Sequence, residues 1–503
     1  MDVLGICAFD GPSAACLVRS GRVIAAARED RFTRQPGDPD FPREAIAYCL
    51  RAGKLGPADV SVVAFAGGPH ADRSAFAAGA KPLPYSDSGG PVTGLRRRLG
   101  RWLGKKETVA DLVARDLDPS VPVHFVEAER AGVAAAFFAS PFDEAAILAL
   151  GGRHPRRDTG RDAGRRVTLW RGRRDSLERL PDDLLDPTEA VDPDALSPDV
   201  AVRLAARARD ATNTDALALA GPRAGQRALV AALWRAGIFP ELFVHPAAPA
   251  GAEAIGAALD FERDHRDDDL AARPPTTGQP RADRQHPGRT RPDRPRASAP
   301  GPGYNSHQIR TFLRSQEQDA VEIPRDDAAA RVADLLHEGL TVGWFSGRLD
   351  LAEDATATRS ILSAPPASPP GDPGVETLAV ARDDATEVFA LEDADAPAFL
   401  QASPREAWRD RLGADADPSP RALTILDRDD HSELHAVLAA FRERTGIPVL
   451  VARPLARPGE PVACTPNDAY DAYVSLGLDA LVMGPYLLRA PRFAPASSSG
   501  GSP

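Results

Sequence analysis

The chain has 503 residues, 43% of them hydrophobic and 26% charged. That length suits two to four domains and supplies apolar material for at least one large core, which excludes wholesale disorder. With 72 acidic against 61 basic residues the net charge is −11, the opposite of the balance a dedicated nucleic-acid binder carries, and no run of about 18 apolar residues is present to span a membrane.

The N-terminus, Met1-Asp2-Val3-Leu4-Gly5-Ile6, has neither a basic leader nor a long apolar stretch, so it reads as a first strand and the expectation is a cytoplasmic protein. Strands are predicted at Val3–Phe9, Ala14–Val18 and Val23–Ala27, separated by the turn residues Asp10-Gly11-Pro12 and Ser20-Gly21. A helix over Pro42–Arg51 and a strand over Val60–Phe65 follow. From Val121 the pattern alternates. Strands are expected at Val121–Val126, Ala145–Leu150, Val167–Trp170, Ala216–Ala220 and Leu242–Val244. Helices are expected at Glu127–Phe138, Pro198–Arg209, Gln226–Ala236 and Ala252–Asp260. Alternation of this kind predicts an α/β domain.

Two stretches, Gly67–Lys106 and Arg263–Gly303, are too rich in Gly, Pro, Ser and Arg to bury a core, and the second is taken as a disordered linker. Beyond it, helices are predicted at Ser306–Gln316, Asp327–His337, His431–Arg444 and Pro466–Ser475, the last capped by Thr465. Strands are predicted at Leu340–Phe345, Leu423–Leu426, Val449–Val451 and Ala480–Val482, with a proline-rich loop over Ser363–Gly374. The tail from Ala494 is expected to fray. No internal repeat is visible. The resulting division is a first domain over 1–262, a linker over 263–303, a second domain over 304–492 and a tail over 493–503.

The four cysteines, Cys7, Cys16, Cys49 and Cys464, form no C-x-x-C pair, and Cys7 and Cys16 in apolar strands read as buried thiols. His431 and His435 share one face of a predicted helix beside Asp427, Asp429 and Asp430. Both a metal site and an acidic helix start fit that spacing. The arginines between Arg153 and Arg174 read either as an electropositive surface or as a solvated loop balanced by Asp158, Asp162 and Asp175.

Several segments carry a family likeness. Ala26-Ala27-Arg28-Glu29-Asp30-Arg31-Phe32-Thr33-Arg34 resembles the A-A-x-E-E-R-F-T-R signature of the carbamoyltransferases of antibiotic and nodulation-factor pathways. Ala134–Phe138 with Ser140–Leu148 resembles A-S-A-F-F-x-S-P-F-D-E-A-A-I-L. Gly343-Trp344-Phe345-Ser346-Gly347-Arg348 is similar to G-W-F-Q-G-R, and Arg359-Ser360-Ile361-Leu362 matches R-S-I-L. Gly459-Glu460-Pro461, Thr465–Ala469 and Gly477–Val482 match the C-terminal run. The resemblance implies a two-lobed actin-like/Hsp70-like (ribonuclease H-like) N-terminal domain followed by a YrdC-like α/β domain. It also implies an activity that makes carbamoyl-adenylate from carbamoyl phosphate and ATP and passes the carbamoyl group to a hydroxyl.

Other family positions differ. The family's H-H-x-x-H metal-binding run stands here as Glu127-Ala128-Glu129-Arg130-Ala131-Gly132, its H-D-S as Gly11-Pro12-Ser13, its D-G-V-G-E as Gly151-Gly152-Arg153-His154-Pro155, and its late G-D-x-G as Pro249-Ala250-Gly251-Ala252. Alanine and glycine side chains offer no ligand atom. Glu129 is expected in an exposed ion pair with Arg130, and His154 is one candidate replacement ligand. The A-G-G-x-A-L-N phosphate turn reads Ala220-Gly221-Pro222-Arg223-Ala224-Gly225-Gln226, where proline removes a backbone donor. In the second domain an arginine of the family's F-G-P-R-A-L-G becomes Asp354, which repels phosphate.

The expectation is therefore a catalytically silent homologue serving as an accessory or regulatory partner of a catalytic carbamoyltransferase paralogue in natural-product biosynthesis. No nucleic acid or membrane is expected as partner, homo- or hetero-oligomerisation stays open, and no catalytic residue, metal or cofactor is expected. Arg348, Arg359 and Ser360 stand as vestigial anion-binding residues, with pairing of Arg359 to Glu353 or Asp354 as the alternative reading. Two alternative functions remain: an active O-carbamoyltransferase, which would need ATP and a divalent metal, and a repurposed enzyme or small-molecule binding protein.

Overall fold

A computed structural model describes residues 1–68, 108–151, 167–184, 196–248, 250–265, 299–352, 356–370, 376–393, 395–413 and 419–490. Most of Gly67–Lys106, His154 and the other residues of 153–166, the linker residues 266–298, Asp354 and the tail from 491 lie outside the described residues.

The first lobe is a five-stranded sheet. Strands β1 (Asp2–Cys7), β2 (Ala14–Arg19) and β3 (Arg22–Arg28) form an antiparallel meander, and β4 (Val62–Ala66) and β5 (Val123–Val126) extend it in parallel, giving the order β3-β2-β1-β4-β5. Alternation sorts β1 by face: Val3 and Cys7 join one core, Leu4 and Ile6 another. On the Leu4 side, the core is completed by helices α1 (Asp30–Thr33), α2 (Arg43–Gly53) and α3 (Val109–Asp116). Both faces are covered, which explains why β1 reads as a continuous apolar run.

The second lobe repeats this plan. Helix α4 (Ala128–Phe138) leads into β6 (Glu144–Leu150), β7 (Val167–Arg173) and β8 (Ser176–Arg179), again an antiparallel meander. Helix α5 (Pro198–Thr212), β9 (Ala216–Ala220), helix α6 (Arg227–Arg235) and β10 (Glu241–Val244) follow, and the sheet order is β10-β9-β6-β7-β8. The two orders are the same when each is read from its meander. The fold thus contains a duplication although the sequence shows no repeat, because a shared topology needs only a shared apolar pattern. This duplicated two-lobed α/β domain is the expected actin-like architecture.

The lobes are tied by an exchange of helices. Helix α4 follows the first sheet and packs on β6 and β9 of the second. Helix α7 (Ala252–Asp264) follows the second sheet and packs on β1, β2 and β4 of the first. The two helices cross closely: a Cβ built at Gly256 would lie 1.7 Å from the Ala131 carbonyl oxygen, and one at Gly5 of β1 would lie 1.9 Å from that of Ala254. Only glycine permits these approaches.

The C-terminal domain is built on one nine-stranded mixed sheet. In chain order its elements are α8 (Ser306–Ser315), β11 (Val321–Glu322), α9 (Arg325–His337), β12 (Val342–Phe345), β13 (Arg359–Ser363), β14 (Thr377–Ala381), α10 (Arg382–Val388), β15 (Phe399–Ala402), α11 (Glu406–Arg409), β16 (Arg421–Leu426), α12 (Ser432–Thr445), β17 (Val449–Pro454), α13 (Pro466–Leu476), β18 (Ala480–Met483) and β19 (Tyr486–Arg489). The sheet order is β11-β19-β18-β12-β13-β17-β14-β16-β15. The predicted cap of α13 is present: the Asp468 N–H donates to the Thr465 hydroxyl at 3.2 Å and the Thr465 N–H to the Asp468 carboxylate at 2.8 Å. Among the described residues no helix is long and apolar enough to cross a membrane.

Candidate functional site

The segment after β3 crosses from the first lobe to the C-terminal domain. Arg28, the last residue of β3, and Glu29, Asp30 and Arg31 after it are all buried. Glu29 accepts from the Glu44 and Ala45 N–H groups at 3.1 and 2.8 Å, filling the open N-terminus of α2. Burial pushes its carboxyl up and those two donors pull it back. Asp30 pairs with Arg28, lies 3.8 Å from the Arg31 guanidinium and accepts from the Gly37 N–H. Arg34 adopts a left-handed backbone (φ 59°) at the end of α1. It donates to the carbonyls of Val462 at 2.8 Å and Pro461 at 2.5 Å and forms ion pairs with Glu460 and Asp468. Phe32 packs against Leu349, Val462 and Cys464.

The opposite side of this seam is made by the G-W-F-S-G-R and R-S-I-L segments. Arg348 donates to the carbonyls of Pro300 (2.6 Å), Gly301 (3.0 Å) and Ile24 (3.3 Å) and to the Tyr48 hydroxyl (3.1 Å). Tyr48 in turn donates to the Pro300 carbonyl, and the Ala26 N–H donates to the same oxygen. The described end of the expected linker, Ala299–Gly303, is thus held between lobe and domain. At the other end α7 continues to Asp264.

Arg359 is fully buried. It donates to the carbonyls of Ser346, Thr358, Gly347 and Pro302 at 2.6 to 3.4 Å, and its guanidinium carbon lies 3.8 Å from the Phe345 ring centroid. Ser360, also buried, donates to the Thr356 carbonyl at 2.6 Å. Burial lowers Arg31 and Arg359 to about 10, so both remain cationic near neutrality. It raises Cys464 beside them to about 12. The cavity at the seam, lined by Arg28, Arg31, Leu349 and Asp350, measures about 10 Å³, room for one water. The three residues expected to grip an anion therefore direct their donors at backbone carbonyls and, for Arg348, also at the Tyr48 hydroxyl. Planar five-donor forks suit this better than lysine would.

Between the lobes, the segments compared above with the family's metal and phosphate motifs make their own local contacts. Glu129 accepts from the Thr168 hydroxyl at 2.6 Å and the Trp170 indole at 3.1 Å. Arg130 makes a two-pronged ion pair with Asp260 at 2.7 and 2.9 Å. The expected Glu129–Arg130 pairing is replaced by these two separate partnerships, because consecutive helical residues point in different directions. Ser13 donates to the Asp38 carbonyl. In the Gly221–Gln226 turn the N–H groups of Ala224 and Gln226 donate to carbonyls within the turn itself. His245, missed in the sequence for want of a motif, is buried at the end of β10. Its Nδ1 accepts the Ala247 N–H and desolvation lowers it to about 4.

Among the described residues no group of three His, Cys, Asp or Glu side chains converges so as to hold a metal ion. At the His431 face, the helix begins one residue later, at Ser432. Asp427 is engaged by Arg382 at 2.5 and 3.0 Å, and burial lowers His431. All four cysteines are buried free thiols. Of the arginine-rich stretch, Arg171, Arg173 and Arg174 lie among the described residues, and Arg171 and Arg173 both pair with Glu144.

Comparison with known proteins places these motifs in context. The carbamoyltransferase N-terminus profile matches residues 2–155 and the carbamoyltransferase C-terminus profile matches residues 377–490. The chain is 24% identical to an uncharacterized protein, sll1178, from Synechocystis sp., over 97% of this chain and 96% of that one. It is 26% identical to the nodulation protein NolNO from Sinorhizobium fredii, over 96% of this chain and 79% of that one. It is 28% identical to the nodulation protein NolO from Bradyrhizobium diazoefficiens, over 56% of this chain and 50% of that one. With both halves matched in order, and with the motifs of both meeting at one seam, the chain belongs to the carbamoyltransferase family.

Proposed function

We propose that this chain is a carbamoyltransferase homologue without transfer activity of its own, acting as an accessory or regulatory partner of an active paralogue in natural-product biosynthesis. The observation that carries this reading is the Arg130–Asp260 ion pair on α4 and α7, in the stretch where the family's histidine run supplies metal ligands. A guanidinium there opposes a second cation. The neighbouring Glu129 is already committed to Thr168 and Trp170. The Gly221–Gln226 turn adds to it, since two of its N–H groups are bonded inward and Pro222 has none. Without a metal and a phosphate cradle, formation of an adenylate has no source of charge stabilisation.

Calorimetric titration of the purified protein with ATP and carbamoyl phosphate, with and without divalent metal, tests the loss of the site. No saturable heat is expected. Metal-dependent binding of both would overturn the reading. The partnership is tested by tagging the chain in its native host, where a stoichiometric homologue with an intact histidine run is expected to co-purify. Recovery of the chain alone would contradict it.

A further inference from the structure

The C-terminal domain touches both lobes, and from this we infer that it is a strap fixing the angle between them. The inference does not rest on the functional reading above. Two-lobed folds of this kind can hinge about the elements that join their lobes, here the crossing of α4 and α7. A third body attached to only one lobe would leave that hinge free. Attached to both, it closes a mechanical triangle.

The anchor on the first lobe is the seam, where Arg34 holds the Val462 and Pro461 carbonyls and Arg348 holds Ile24 and Tyr48. The anchor on the second lobe lies elsewhere, along α6. Arg227 donates to the Leu423 carbonyl and its guanidinium carbon lies 5.4 Å from the Phe399 ring centroid, while Arg235 donates to the Gln401 carbonyl at 2.7 Å. Between these bonds one apolar cluster runs without interruption from Leu229 and Leu233 of α6 into Leu400 and Ala402 of β15. Helix α6 thereby covers what would otherwise be an open sheet edge at β15. Neither anchor includes the α4–α7 crossing, so any hinge motion there must break one of them.

The test measures the distance between the lobes. The native cysteines are all buried, so spin labels can be placed selectively through Ala52→Cys on α2 and Asp210→Cys on α5, both exposed positions. Pulsed dipolar spectroscopy on the full chain is expected to give one narrow distance distribution. Cutting the second anchor with Arg227→Ala plus Arg235→Glu, or the first with Arg34→Glu, is expected to broaden and shift it, with circular dichroism confirming that the secondary structure remains. The exposed Arg235→Ala, which removes one bond and leaves the core intact, is expected to broaden it less. A broad distribution in the parent protein, or an unchanged narrow one in Arg235→Ala and in every folded variant, would overturn the strap.

Discussion

The seam and the interlobe region are built from similar materials to different ends. At the seam, Arg34, Arg348 and Arg359 spend their donors largely on main-chain carbonyls, and those of Arg34 and Arg348 reach across the boundary between the first lobe and the C-terminal domain. Between the lobes, Arg130, Glu129 and Ser13 are satisfied locally, by a neighbouring helix, a strand and a turn. The matching segments Ala26–Arg34, Gly343–Arg348 and Arg359–Leu362 meet at the first place, and the second holds the stretches around Glu129 and Gly221 that the proposed reading takes as altered. A residue that holds two domains together is needed whether or not chemistry occurs, because losing it strands buried polar groups. A residue that only grips a ligand carries no such structural duty.

This contrast can be broken by mutation. The largest effect is expected at Arg359: Arg359→Leu takes a buried donor from four carbonyls, of which those of Thr358 and Pro302 keep a main-chain N–H, and should lower unfolding stability by about 3 kcal/mol or more, read by urea denaturation. An effect confined to a few tenths would remove the seam's structural role. Next comes His245, whose pKa of about 4 in the fold compares with 6.5 when exposed. The folded state binds its proton less tightly, so this contribution is complete above pH 6.5 and is lost as pH falls through the window to 4. Its full size is on the order of 3 kcal/mol, and His245→Asn should flatten the stability–pH curve in that interval. Arg34→Ala should cost about 2 kcal/mol and split one calorimetric transition into two as the domain undocks. The smallest effect belongs to the interlobe region, where Glu129→Ala should cost about 1 kcal/mol and shift Trp170 emission. A larger loss there than at the seam would invert the comparison.

Many strands and helices are legible because they are continuous apolar runs or carry a cap, as at Ser197-Pro198 in the second lobe and Thr465-Pro466 in the C-terminal domain. Elements such as β8, β15 and β19 have four residues each. They are too short to carry a local pattern and take their form from the strands they pair with, β8 and β19 as the return strands of hairpins from β7 and β18 and β15 on β16, which hides them from sequence reading. The same limit applies to the site. Arg348 and Arg359 stood out by motif, but their partners are main-chain oxygens, and main chain carries no sequence signal. Arg227 and Arg235 look like ordinary helix-surface arginines until the fold brings β15 and β16 beneath them. His245 sits in no motif at all, and only burial distinguishes it.

The central claim, that the scaffold of a carbamoyltransferase persists here without its adenylate-forming step, is tested most directly by pyrophosphate release. The purified protein would be incubated with ATP, carbamoyl phosphate and a divalent metal, and pyrophosphate followed against a protein-free mixture. The account predicts identical traces. Metal-dependent release accompanied by carbamoyl-adenylate would contradict it.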